Sequence, residues 1–472
     1  MLRLEVLASE EVEAIHSATL RILREVGVVL TQPQARDILA GAGAVVCAQR
    51  VLFPPDLVEQ KLSCCPGRVS LRGRDPQEVA VLGDGTLHWH NLGGAPEVYD
   101  ARNAQRRPAT LQDVRDSARL LDALDNITTI TPFFTPQDVV GPLMSLAMYR
   151  NTLPYTTKPL HGAGVQTAVE VRFTARMAAV IGPVAEVLTL GVSPISPLTL
   201  PDDVAEAIIE AARLGVPPAP LPCPIGGATA PLSLAGALAQ QNAEVLATIV
   251  LAQLVCPGLP IAYDGRLAMM EPRSGLSVWS GVELGLVSAA TVQIGHRYGL
   301  PVNVYGLSTN AHGLEIQNGY ERALNAVIPA LAGADELSGI GELEAGVLGS
   351  YAQMVCDNEI AASVRRLRRG FLADDDALAV EVIASAMDGS RNFLDQRHTA
   401  RYLRAGEMLI TSLAERRGWA DWEHTGRAGM AERAQVEAER LLTEHEVQPL
   451  AVDQERELDE IMREAERVLL TR

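Results

Sequence analysis

Basic charge is in short supply. Lysine and arginine number 40 against 58 aspartates and glutamates, a formal charge of -18 with a pI near 5.0. A nucleic-acid partner is therefore not expected, because polyanion binding draws on clustered basic charge. Cysteine is scarce and scattered. Cys47, Cys64, Cys65, Cys223, Cys256 and Cys356 form no CxxC pair, which removes the zinc-ribbon and redox-dithiol readings and fits a reducing cytoplasm. The opening MLRLEVLASEEVEAIHSATLRIL lacks the basic, apolar, small-residue order of an export signal and turns amphipathic almost at once. The longest apolar run, 232–255, is interrupted by Gln240, Gln241, Asn242, Glu244 and Gln253, so a buried helix is expected there and no membrane span. Missing too are a GxSxG elbow and a P-loop, so covalent serine chemistry and nucleotide hydrolysis lack support.

What is present is enough apolar material for a large core: 47% of the 472 residues are hydrophobic and 21% charged. The stretch TLHWHNLGGAPEVYD, 86–100, reads as a buried strand running into a Gly-Gly turn, with His88 and His90 on one face and Trp89 and Asn91 on the other. Thr110 then caps a helical pattern, and ITTITPFF follows as a second strand. The alternation continues through helix 137–151, strand TTKPLHG, helix 167–181, strand EVLTLGVSPIS and helix 202–213. After these come strand APLPCPIGG, helix 234–255, strand LPIAYDG, helix 281–298, strand PVNVYGLS, helix 317–333, strand ELSGIGEL and helix 350–371. Eight such units with continuous apolar strands predict an α/β fold, a (β/α)8 TIM barrel over 81–372. An open doubly wound sheet is the alternative, but the first strand lacks its phosphate-binding GxGxxG. An N-terminal helical layer is expected over 1–80, with helices from Ser9, after Thr31 and opened by Pro54 and Pro55. A polar C-terminal helical extension occupies 373–472, with Asp374, Asp375 and Asp376 at a helix N-terminus.

In such a barrel the site lies at the C-terminal ends of the strands. The candidates, strand by strand, are His88, His90 and Asn91; Lys158 and His161; Ser193 and Ser196; the turn Gly226-Gly227; Tyr263, Asp264, Arg266, Met269, Met270, Glu271 and Arg273; Tyr305, Ser308, Thr309, Asn310 and His312; and Glu342 and Glu344. HxH on a first strand also opens metal-dependent hydrolases. Those need at least three protein ligands, and here the fifth and sixth strands have no histidine, so no metal site is expected.

Three phrases together resemble one family: LGGAPEVYDARNAQRRPATLQDVRDSARLLDALDNI, the run from SPISPLTLPDDV through GGATAPLSLAGALAQQNAEVLATIVLAQLVCPGLPIAY, and QNGYERALNAVIPALAGADELSGIGELEAG. They are similar to the trimethylamine methyltransferase family of barrel proteins, and the likeness extends from near the N-terminus to about residue 410. Founding members of that family insert pyrrolysine after the eighth strand. The corresponding region here, ELEAGVLGSYAQ, holds ordinary residues, so the chain resembles the non-pyrrolysine branch, whose glycine betaine methyltransferase-like members use quaternary amines and pass a methyl group to the cobalt(I) of a separate corrinoid protein.

The resemblance implies no cofactor bound in the chain itself, a corrinoid (cobalamin) supplied by a partner protein and a small quaternary amine as substrate; the charge and the interrupted apolar run leave no nucleic-acid or membrane partner expected, and a homo-oligomer is expected for a barrel of this size. A pocket for a bulky cation calls for carboxylates and aromatic faces. Glu342 and Glu344 are then the expected anionic neighbours, with Trp89, Tyr263, Tyr305 and Phe133 or Phe134 as an aromatic cage. His90, Asp264 and Asn310 complete the expected rim, while Lys158, His312, Arg266 and the Gly226-Gly227 turn would meet a substrate carboxylate. The alternatives are a non-catalytic quaternary-amine binding protein, methyl transfer to another acceptor such as tetrahydrofolate, and a metal-dependent hydrolase.

Overall fold

The computed structural model describes residues 3–471. Helices are named in chain order: α1 Ser9–Arg21, α2 Pro33–Gly41, α3 Pro55–Leu62, α4 Leu111–Ala123, α5 Met144–Thr152, α6 Ala168–Ala179, α7 Asp202–Arg213, α8 Leu234–Val255, α9 Val282–Arg297, α10 Ile316–Ala332, α11 Tyr351–Arg369, α12 Met430–Glu444 and α13 Val452–Leu470. Between them the parallel staves run in sequence order. His88–Asn91 is first, Leu160–Gly164 third, Leu188–Val192 fourth, Pro218–Pro220 fifth, Tyr263–Gly265 sixth, Val302–Tyr305 seventh and Glu336–Ile340 eighth. The second is reduced to isolated parallel bridges, His90 with Thr129 and Ile130 with Leu160.

Around this ring every neighbouring pair of staves is hydrogen-bonded except the fifth and sixth, whose chains pair only beyond the staves, Ile225 and Gly226 running parallel to Ala268 and Met269. The eighth stave pairs back onto the first, Glu336 opposite His88 and Leu337 opposite Trp89. The break has a local cause. The fifth stave is PPAPLPCP, and the prolines at 218, 220, 222 and 224 have no N–H to donate to a neighbour. Eight staves in order is what the sequence predicts; a fully laddered barrel is not what it forms.

The staves are buried on both faces, as parallel strands under helices must be. Helix α8, at 22 residues, is apolar and long enough to cross a membrane by composition, but most of it is buried inside this fold. Its buried Glu244 explains one interruption of the apolar run. The carboxylate accepts from Ser196 Oγ at 2.7 Å and from the Leu198 N–H at 2.9 Å, pinning the loop after the fourth stave.

The first 80 residues form the expected helices but also a small antiparallel sheet, Val28–Val29, Arg50–Leu52 and Val45–Cys47, whose two- and three-residue strands are too short to show a period in sequence. Leu23, Val51 and Phe53 share one continuous core with Trp89 and Leu190, with α1 and α3 lying on α8. At the other end Asp374 caps its short helix through the Ala377 N–H, as the acidic run predicts. The amphipathic α12 packs on α11 and α4, and α13 on α5 and α6.

One buried ion pair organises the turn after the eighth stave. The Arg322 guanidinium and the Asp357 carboxylate are both fully buried, 3.0 Å apart. Arg322 also donates to the carbonyls of Leu307 and Glu342 and to Asn318 Oδ1, while Asp357 accepts from the Gly341 N–H at 2.7 Å and from Gln353 Nε2 at 2.8 Å. Removing one charge strands the other in low dielectric. Arg322→Met is expected to cost about 3–5 kcal/mol in denaturant unfolding, and adding Asp357→Leu should recover most of that loss. A single variant within about 1 kcal/mol of the parent would contradict the clamp.

Candidate active site

A cavity of about 740 Å³ opens over the C-terminal ends of the staves. Its inner wall carries His90 of the first stave, His161 of the third, Asp264 and Arg266 of the sixth, Asn303 and Tyr305 of the seventh and Ser338 of the eighth. It then runs outward past Gly162, Gly164 and Ser193 to Met144, Met148 and Tyr149 of α5, Thr174 of α6 and Asp203 of α7.

Beneath the inner wall lies Glu336, fully buried. Thr129 Oγ1 and Asn303 Nδ2 each donate to its carboxylate at 2.5 Å, and His161 Nδ1 lies 2.6 Å from Oε2 as an ion pair without good hydrogen-bond alignment. Burial alone would raise the Glu336 pKa, but the charge of His161 and these hydrogen bonds, joined in acid by the charge of protonated His90, overcome it and hold the carboxyl well below its usual range. His161 shifts in the complementary sense: burial opposes its charge, yet Glu336 beside it raises its pKa above the ordinary histidine value. His90 goes the other way. Its Nε2 accepts from Asn303 Nδ2 at 2.9 Å, and burial lowers it to about 4, so it is neutral at pH 7.

Arg266 is clamped in turn. It donates to the Asn303 carbonyl at 2.9 Å and to Asn303 Oδ1 at 2.6 Å, and its guanidinium lies 4.8 Å from the centre of the Tyr305 ring. Asp264 alone has no such company. It is 2% exposed, its Oδ1 has no partner among the described residues, and burial pushes it to about 7 although His161 and Arg266 pull it down.

Among the expected residues the cavity thus gathers His90, Asn91, His161, Ser193, Asp264, Arg266 and Tyr305, and leaves the others elsewhere. The aromatic cage does not assemble. Trp89 is fully buried on the other face of its strand from His90, and Tyr263 donates its hydroxyl to Asn242 Oδ1 of α8 at 2.9 Å. Phe133 packs edge-on against Phe134, wedged where a Cβ on Gly341 or Gly349 would collide with it. Tyr305 lines the cavity, but Arg266 already stacks on it.

The expected carboxylates are displaced as well. Glu344 lies at the rim, 3.3 Å from the exposed His312 and 3.9 Å from Arg106. Glu342 is 1% exposed beside the Arg322 clamp, where burial raises it to about 7. Lys158 closes the end of α4, donating to the carbonyls of Leu121 and Leu124, and burial lowers it to about 8. Asn310 ties down its own loop, accepting from the Trp279 N–H and Ser280 Oγ. Gly226 and Gly227 shape a turn against Met269 and Leu232 outside the cavity lining.

Glu336 and Asn303 were not singled out in the sequence because they stand low on their staves. The available signal was a polar residue inside an otherwise apolar strand, DELSGI and PVNVYG.

The sequence profile of the trimethylamine methyltransferase family matches residues 1–468. The trimethylamine methyltransferase of Methanosarcina thermophila is 32% identical over 464 residues, covering 95% of each chain. That of Desulfitobacterium hafniense is 30% identical over 451 residues, covering 94% of this chain and 90% of its own. A glycine betaine methyltransferase of Desulfitobacterium hafniense is 28% identical over 424 residues, covering 88% of each. In fold, the crystal structure of the monomethylamine methyltransferase of Methanosarcina barkeri superposes with a TM-score of 0.50 over 93% of each chain at 11% identity.

The ionised form of Asp264 is penalised in the fold and not in the unfolded chain. Between its unfolded value of 3.8 and its folded value of about 7 the folded state binds more proton, so stability falls as pH rises through that window. Asp264→Asn should remove this component and raise stability at pH 8 by up to ~4 kcal/mol, at 1.4 kcal/mol per pH unit. Thermal unfolding of both proteins from pH 4 to 8 reads it directly; a variant less stable than the parent at pH 8 would refute the burial account.

Proposed function

The chain belongs to the trimethylamine methyltransferase family, and we propose that it takes a methyl group from a quaternary amine, glycine betaine or a related betaine, for transfer to a separate corrinoid protein. That it is a methyltransferase rests on the family and on relatives that carry that name along nearly their whole length. The choice of a quaternary cation rests on Asp264, a carboxylate lining the cavity with an oxygen that no group among the described residues satisfies.

A buried carboxylate without a partner is unfavourable unless something positive arrives. Near neutrality Asp264 shares its site with a proton; a bound ammonium displaces that proton and leaves the ionised carboxylate as its counter-ion. A quaternary ammonium cannot donate a hydrogen bond, so recognition is Coulombic and steric. That suits a cavity where the bare Gly162 and Gly164 supply room and Asp264 supplies charge. Loss of one methyl from such a substrate releases a neutral tertiary amine, so the chain needs no residue to deliver a proton to it.

The cobalt(I) of the corrinoid supplies the nucleophile. This chain's part is to hold the ammonium so that one methyl faces the open end of the barrel, and positioning of this kind lowers a bimolecular barrier substantially. Glu336, His161, Asn303 and Arg266 hold the floor rigid through their mutual bonds.

The test is to incubate the purified protein anaerobically with cobalt(I) cobalamin and a panel of betaines and methylamines, following methylcobalamin in the visible spectrum. Methylation with a betaine and not with trimethylamine is expected. Asp264→Asn should lower kcat/KM about a hundredfold, the scale of one buried charge contact. In the parent, kcat/KM should fall roughly tenfold per pH unit below about 7 as Asp264 takes up its proton, and the variant should lack that limb. Trimethylamine as the sole methyl donor would reject the quaternary assignment, and tight betaine binding with no transfer would leave a binding protein.

A further inference from the structure

The cavity is larger than its charged floor requires. At about 740 Å³ it falls in the range of about 300–1,000 Å³ that takes a drug-sized ligand, far more than a bare tetraalkyl cation fills. Its far end holds two further polar side chains without partners. Tyr149 of α5 and Thr174 of α6 both line it, each is 1% exposed, and neither hydroxyl is bonded to any protein group among the described residues.

Thr174 departs from the habit of its kind in this molecule. Thr19, Thr152, Thr248 and Thr291, also helical and buried, each donate to the carbonyl four residues back, whereas Thr174 does not. Tyr149 is an equally poor structural investment, since a phenylalanine would fill the same space without stranding a hydroxyl. Burial pushes the Tyr149 phenol well above its usual value, so it remains a proton donor at any working pH.

Topology sets the distance between the two ends. Asp264 stands on the sixth stave, while Tyr149 follows the second and Thr174 the third. In a ring of eight, the sixth stave faces the second across the mouth. The wall between includes Gly164, where a Cβ would meet nothing within 4 Å.

We propose that the cavity is built for an extended quaternary amine whose charged nitrogen lies at Asp264 and whose far end carries a hydrogen-bond-accepting group, a carboxylate or a hydroxyl, received by Tyr149 and Thr174. This rests on the quaternary-amine reading above and goes beyond it: the preferred substrate is longer than glycine betaine. Gly164 sets the length that can pass.

Calorimetric binding separates this inference from methyl transfer. The probes are tetramethylammonium and trimethylammonio carboxylates with one, two, three and four carbons between nitrogen and carboxyl. In the parent, affinity should rise along the series to an optimum beyond the first member. Tyr149→Phe with Thr174→Val should weaken the optimum ligand about tenfold or more, the worth of two hydrogen bonds, and leave tetramethylammonium within twofold. Both changes remove stranded hydroxyls, so the variant should melt at or above the parent temperature. Gly164→Leu, at an ordinary strand conformation, should exclude the longer members and spare tetramethylammonium. Ammonium binding with no dependence on chain length, or equal losses for every probe in the hydroxyl variant, overturns the second subsite and leaves the quaternary-amine reading standing. Failure to bind any ammonium overturns both.

Discussion

Glu336 puts a full negative charge in the middle of the fold, out of reach of solvent, and much around the cavity floor answers to it. A carboxylate in that position is tolerable only if its oxygens are satisfied and an opposite charge is near. Thr129, Asn303 and His161 meet that demand from three different staves, and in doing so they tie the second, seventh and third staves to the eighth. The same Asn303 then fixes Arg266, which covers Tyr305. The floor is thereby rigid before any substrate arrives, with Asp264 as the one carboxylate of the group left without protein partners among the described residues.

This arrangement changes how a cation would be recognised. An aromatic cage is the intuitive pocket for a quaternary ammonium, and the sequence has aromatic residues near several strand ends. Packing withdraws them. Side chains alternate along a strand, so Trp89 and Tyr263 face away from their inward neighbours His90 and Asp264, Trp89 into the buried core and Tyr263 onto α8. What faces inward instead is carboxylate, imidazole and bare glycine. Coulomb attraction in a desolvated site can replace the π-faces, at the expense of carrying an uncompensated acid when the site holds no cation.

A second buried charge pair, Arg322 with Asp357, does for the rim what Glu336 does for the floor. It gathers the backbone of Leu307, Gly341 and Glu342, so the loops after the seventh and eighth staves leave the ring in one fixed arrangement. Those loops are further joined by the Glu344 N–H to Ala311 and the Ala345 N–H to Thr309, where Glu344, Ala345 and Gly346 all take left-handed backbone angles. Such consecutive strain persists only where neighbouring structure enforces it. Glu344 and His312 are in consequence held at the rim, facing each other and not the floor.

The period of the apolar residues, with Pro and Gly as punctuation, determined the eight alternating units, the order of the staves and the bounds of α7 and α8, because those signals act over a few residues and survive any tertiary context. The stretch of chemistry was legible in part: His90, His161, Asp264 and Arg266 stand at strand ends as a barrel requires. The sequence could not say that Pro218 and Pro220 would leave one seam unladdered, since that depends on which neighbour needed their missing N–H groups. Nor could it rank Asp264 above Glu342 and Glu344. What separates them is place: Asp264 lines the cavity, whereas Glu342 lies buried beside Arg322 and Glu344 faces His312 at the rim, and these neighbours come from staves and helices far apart in the chain. Only the folded ring brings them together.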